Sequence, residues 1–150
     1  MRRPYTPLRL SAQDASDLEP ISAALQDAIA QLGDFEFSAR QGQFTMAFNR
    51  FCWESGGRAQ RVRTGVQFAR VENARSQNIR QGASDAVVSL LAITFEPDND
   101  PSKEPGGEVV LTFSGGGELR LAVECIESVL ADISAPWPAS SRPEHVLDED

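Results

Sequence analysis

The sequence predicts an α+β domain: a mostly antiparallel sheet or partly open barrel of six to seven strands, with an N-terminal and a C-terminal helix. Three observations lead there. Apolar side chains alternate with polar ones at period two through most of the middle of the chain. Short turns bearing glycine or asparagine separate these runs, as antiparallel neighbours require. A period near 3.6 occurs only close to the two ends.

Residues 1–7 read as an arm, and Leu8-Arg9-Leu10 as a short edge strand. Asp14 to Leu32 reads as a helix. Ser16 and Glu19 have capping-box spacing, and Ile21, Ala24, Leu25, Ala28, Ile29 and Leu32 form one apolar face, with Gly33 as the latest stop. Asp34 to Phe37, a turn at Arg40 to Gln43, and the run from Phe44 onward form a hairpin. In that run Phe44, Met46 and Phe48 alternate, and large apolar residues then reappear at Phe51 and Trp53. The shift by one position predicts a β-bulge or bend at Asn49-Arg50.

Gly56-Gly57 breaks the chain before a strand from Arg61 to Val71. Val62, Thr64, Val66 and Phe68 take one face of it, and Arg61, Arg63 and Gln67 the other. Residues 72–85 are polar and read as a connection. Ala86 to Phe95 is apolar on both faces, as a central strand would be. Pro97 to Gly107 is a solvated loop. Val109, Leu111 and Phe113, a turn at Ser114 to Gly117, and Leu119, Leu121 and Val123 form a second hairpin. Ile126, Val129, Leu130 and Ile133 have helical spacing. Trp137 anchors a docked segment, and four acids among residues 144–150 mark a disordered acidic tail behind a single globular domain of residues 1–143. The expected core is Phe48, Phe51, Val66, Leu90, Leu91, Ile93, Leu121, Val123, Ile126 and Leu130. A strand meander ending in a C-terminal helix resembles the pleckstrin-homology-like barrel in element order, a likeness that implies no ligand.

With 150 residues, 41% of them hydrophobic, the chain is long enough for one core without disulfides. No apolar run approaches the ~20 residues of a membrane span, and Tyr5 to Leu10 lacks the apolar centre of a signal peptide. A cytoplasmic protein with no membrane association is expected. Cys52 and Cys125 are the two cysteines and read as free thiols.

The net charge is −8, which argues against DNA, but it is unevenly spread. Between Arg40 and Arg80 there are eight arginines and two acids, so this segment carries +6 and the remainder −14. Within it Arg61 and Arg63 share one strand face about 7 Å apart, flanked by Arg58 and Arg70. Such a face suits a phosphate, an RNA backbone or an acidic protein. The favoured reading is a solvated surface in which the arginines pair with carboxylates across strands.

Other motifs are weaker. Gly115 to Gly117 precedes a strand rather than a helix, so it is a hairpin turn and not a phosphate cradle. His145, the one histidine, lies in the tail, and neither cysteine has a partner at ligand spacing, so no metal or cofactor is expected. Asp98-Asn99-Asp100 imitates the start of a calcium loop without its glycine or closing glutamate. No carboxylate pair is marked by its spacing for acid–base work.

Several segments together resemble an uncharacterised alphaproteobacterial family of unknown function, over residues 8–145. They are Leu18 to Asp27, Asn49 to Glu54, Ser89 to Ile93, Val123 to Glu127 and Ser141 to Pro143. The resemblance implies a bacterial cytoplasmic protein and carries no catalytic residue across. The leading expectation is a small non-catalytic binding or assembly module with a protein partner. Phosphate or RNA binding by Arg58, Arg61, Arg63 and Arg70 is the alternative, and an enzyme built from carboxylates and arginines the third.

Overall fold

In a computed structural model of the chain, the described residues are 6–53, 59–79 and 85–139. Arg58 and the acidic tail of residues 144–150 lie outside them. The elements in order are β1 (Arg9–Ala12), α1 (Ala15–Leu25), β2 (Ile29–Gln31), β3 (Phe35–Ser38), β4 (Gln43–Trp53), β5 (Ala59–Phe68), β6 (Val71–Gln77), β7 (Val87–Pro97), β8 (Gly107–Phe113), β9 (Glu118–Val123), β10 (Ser128–Asp132) and β11 (Trp137–Pro138). All strands among the described residues belong to one open antiparallel sheet of eleven, ordered β1-β10-β5-β4-β2-β7-β8-β9-β6, with β11 also on β5 and β3 also on β4.

This overturns the expected six to seven strands between two helices, and with it the barrel plugged by a C-terminal helix. Four segments account for the difference. The docked segment at Trp137 contributes the two-residue β11, and three others take a form that the pattern does not predict. The first of these is Ile126 to Ile133, which is extended rather than helical. Ile126, Ser128 and Leu130 are buried while Glu127 and Val129 are exposed, so the true period is two. Its inward positions include a serine and an aspartate, which sequence patterning counts as surface. The second is Val71–Gln77, an edge strand with only Val71 buried, whose backbone pairing with β9 leaves no hydrophobic alternation to read.

The third segment is the end of α1. Asp14, not Ser16, caps the helix, accepting from the Asp17 amide at 2.9 Å. Leu18, Ile21 and Leu25 are its buried face. The chain then turns through Asp27 at φ 67°, and the Asp27 amide donates to the Leu90 carbonyl at 2.8 Å. Ile29 to Gln31 are thereby delivered as a strand between β4 and β7.

The expected bulge at Asn49-Arg50 is also absent. β4 and β5 pair without a shift from Phe44 opposite Phe68 to Trp53 opposite Ala59. The alternation continues through the junction, and its next inward position holds Arg50. That guanidinium donates to both carboxylate oxygens of Asp132, at 3.0 and 2.7 Å. Asp132 also accepts from the Thr64 hydroxyl and the Leu8 amide, each at 2.8 Å, and its side chain is fully buried. An ion pair satisfied in this way takes the place of an apolar pair.

One core joins both halves of the sheet to α1. Eight of the ten expected core residues lie in it. Phe51 is half-buried on the outer face, and Leu91, beside a register shift in β7, is 44% exposed.

Candidate functional site: the outer face of the β4–β5 pair

Alternation sends Phe44, Met46, Phe48 and Arg50 of β4 inward with Val62, Thr64, Val66 and Phe68 of β5. Asn49 and Phe51 therefore face outward, opposite Arg63 and Arg61 respectively. The two arginines share this face, as the sequence predicts, but their surroundings differ.

Arg63 is saturated. Its Nη1 donates to Asn49 Oδ1 at 3.1 Å, and its Nη2 meets the Asp34 carboxylate at 3.0 Å. Asp34 arrives from the 3₁₀ turn that follows β2. With Ile29, Gln31, Asn49 and Val87, these residues line a cleft of about 400 Å³.

Arg61 is 5% exposed. Its guanidinium lies 5.5 Å from the centre of the Phe51 ring, and Nη1 donates to the Asn49 main-chain carbonyl at 2.9 Å. Nη2 is buried and has no hydrogen-bond partner among the described residues, nor does Arg61 form an ion pair there. Burial pushes its pKa below the ordinary arginine value, against a pull upward from Asp27 and Cys52. Trp137 of β11 stands directly opposite Arg61 in register and is 38% exposed. Ile133, 62% exposed, packs above Gly65, and Val129 lies opposite Gln67 on the same face. The sequence singles out Arg61. It does not single out Asn49, Phe51 or Asp34, which come together only through strand register.

Arg70 lies apart from this group. It occupies the turn between β5 and β6 at φ 59° and reaches Glu127 at 3.7 Å, both side chains exposed. Structure thus joins Arg61 with Arg63 and separates Arg70 from them.

A second concavity, of about 790 Å³, lies at the ends of β7, β8 and β9 and collects Glu72, Glu96, Asp98, Glu104, Glu108 and Glu124 around Lys103. On the outer face of these strands Arg120 contacts Glu118, Glu96 and Glu108 at 2.6, 2.8 and 3.0 Å, and Arg75 contacts Glu108 at 3.0 Å. Burial disfavours the Glu108 charge, but the two arginines outweigh it and hold the carboxyl below its usual range. Asp100 caps the 3₁₀ turn of Pro101–Lys103, accepting from the Ser102 amide and hydroxyl, and Asp98 accepts from the Asp100 amide. Among the described residues no three of His, Cys, Asp and Glu are grouped to hold a metal ion.

The family model described as "Protein of unknown function (DUF2948)" matches residues 8–145, nearly the whole chain. The chain belongs to the DUF2948 family. No curated protein and no solved structure matches it. In this DUF2948 chain the matched span takes in every described strand and the helix. No helix among the described residues is long and apolar enough to cross a membrane.

Proposed function

We propose that this DUF2948 protein is a non-catalytic binding module of the bacterial cytoplasm, engaging a protein partner through the outer face of β10, β5 and β4. The observation that carries this reading is the exposure of Trp137 and Ile133 beside the buried Arg61, with Val129 exposed further along the same face opposite Gln67. Large apolar side chains clustered at the rim of a partly desolvated arginine and an aromatic ring are the composition of a protein interface core. A nucleic-acid surface would need free cations, and here Arg63 is already held by Asp34 and Asn49. The carboxylates with a resolved shift, Asp14, Asp100 and Glu108, are all held below their usual range, which suits caps and ion pairs rather than proton storage at neutral pH.

Affinity purification of the tagged full chain from its native host tests the reading. One or more proteins retained by the wild type should be lost from a chain carrying Ile133→Asp and Val129→Asp, two exposed sites where substitution leaves the fold intact. Equal retention by both chains would send the reading to another surface.

A further inference from the structure

We infer that the partner presents a carboxylate to Arg61, an Asp or Glu side chain within a segment whose neighbouring apolar residues pack on Ile133 and Trp137. The inference rests on the interface proposed above and names the chemistry at its centre. Arg61 is an arginine 5% exposed whose Nη2 has no hydrogen-bond partner among the described residues. Burying a guanidinium without a counter-charge is costly, and chains rarely keep such a group unless something compensates it.

The compensation within the described residues is partial. Phe51 offers its ring face and Asn49 one carbonyl oxygen. Neither carries a negative charge. Asp27 pulls on the guanidinium through space without forming an ion pair. The charge of Arg63 is already engaged by Asp34, with Asn49 Oδ1 accepting from its other terminal nitrogen. The buried arginines that do have carboxylates show what this one lacks: Arg50 is gripped by Asp132 from two directions on the opposite face of the same strand pair. An incoming carboxylate would accept from Nη2 and neutralise the charge. Trp137 stands directly opposite Arg61 in register, so the acid would enter beside it. Apolar neighbours on either side of the acid would then meet Ile133 and Trp137 and exclude water, which strengthens the ion pair.

The test uses the full chain and a displayed library of random dodecapeptides, selected on the wild type at physiological salt. Selected peptides should share an Asp or Glu adjacent to an apolar residue. Arg61→Gln should weaken them on the order of tenfold or more, and changing the peptide's acid to its amide should weaken binding to the wild type equally. In the double change the two losses should not add. The peptide-side change keeps the result readable if Arg61→Gln fails to fold. Peptides without a carboxylate, peptides bound equally well by Arg61→Gln, or no enrichment over an unrelated acidic protein would each overturn the inference. If selected peptides lacking an acid are nevertheless lost on Ile133→Asp, the interface stands and the carboxylate falls. A mixed-sequence single-stranded RNA is titrated in parallel, and binding of it that depends on Arg61 while peptides fail would overturn the inference in favour of nucleic acid.

Discussion

The β4–β5 pair carries two nearly buried arginines, one on each face, and they are held very differently. Arg50 points into the core, donates to both oxygens of a fully buried aspartate, and shares that aspartate with Thr64 and the Leu8 amide. Arg61 points outward, stacks over Phe51, and leaves one terminal nitrogen without a hydrogen bond among the described residues. The inner arginine is a structural device, because its charge is balanced by the chain that buries it. The outer one is desolvated and has no balancing carboxylate among the described residues, and that imbalance locates the candidate site. Charge alone would not distinguish them, since both are arginines among large aromatic residues.

The sharpest way to break the comparison is to unbalance the inner arginine. Asp132→Asn keeps the side-chain shape and removes the charge, leaving Arg50 buried without the carboxylate it now grips. The expected loss is about 3–5 kcal/mol in urea unfolding. A loss under about 1 kcal/mol would mean that Arg50 is no better compensated than Arg61, and the contrast would fail.

How much of this was legible in the sequence follows from what strands reveal. Period-two alternation marks β4, β5, β8 and β9 because each buries an apolar row against α1 or the opposing half of the sheet. It hides β10, because Ser128 and Asp132 occupy inward positions and the remaining Ile126, Val129, Leu130 and Ile133 imitate a helix. It hides β6, an edge strand stabilised by backbone pairing with β9. At the site, the shared face of Arg61 and Arg63 is legible from their spacing. Their partners are not, because Asn49 and Asp34 are brought to that face by the register of β2, β4 and β5, which the hydrophobic pattern of any single strand leaves open.

The two faces can next be compared at adjacent residues of β7. Leu90 is fully buried, whereas Leu91 beside it is 44% exposed next to the register shift. Leu90→Ala should cost about 2–5 kcal/mol through lost burial and the cavity left behind. Leu91→Ala should stay within about 1 kcal/mol. Equal midpoints for the two variants in the same denaturant series would show that β7 is not divided between a core face and a solvent face.

Arg61 itself gives a smaller effect on stability than on binding. Arg61→Met retains an apolar stem over Phe51 and removes an uncompensated charge, at the cost of the bond to the Asn49 carbonyl. These terms oppose each other, so the unfolding free energy should move by no more than about 1 kcal/mol in either direction. Partner capture should be lost in the same protein. Destabilisation as large as that of Asp132→Asn would instead make Arg61 a second structural arginine, and its free nitrogen a cost that the fold carries for packing.

The smallest effect belongs to a third arginine environment, the partly exposed ladder in which Arg120 joins Glu96, Glu108 and Glu118 while Arg75 joins Glu108. Here the charges are balanced as for Arg50, but water already screens them, so balance should matter little. Arg75 and Arg120 outweigh burial and hold the Glu108 carboxyl below the ordinary glutamate value of 4.5. A carboxyl depressed on folding contributes stability that is fully present above its unfolded value and is lost as pH falls through the lower folded value. Glu108→Gln should therefore cost about 0.2–1 kcal/mol near neutral pH, and the difference from wild type should vanish in acid below the glutamate range. Raising the salt concentration at neutral pH should shrink it as well. A difference that persists in acid and in high salt would have to come from packing rather than charge. The ladder would then no longer serve as the screened counterpart to the two buried arginines of β4 and β5.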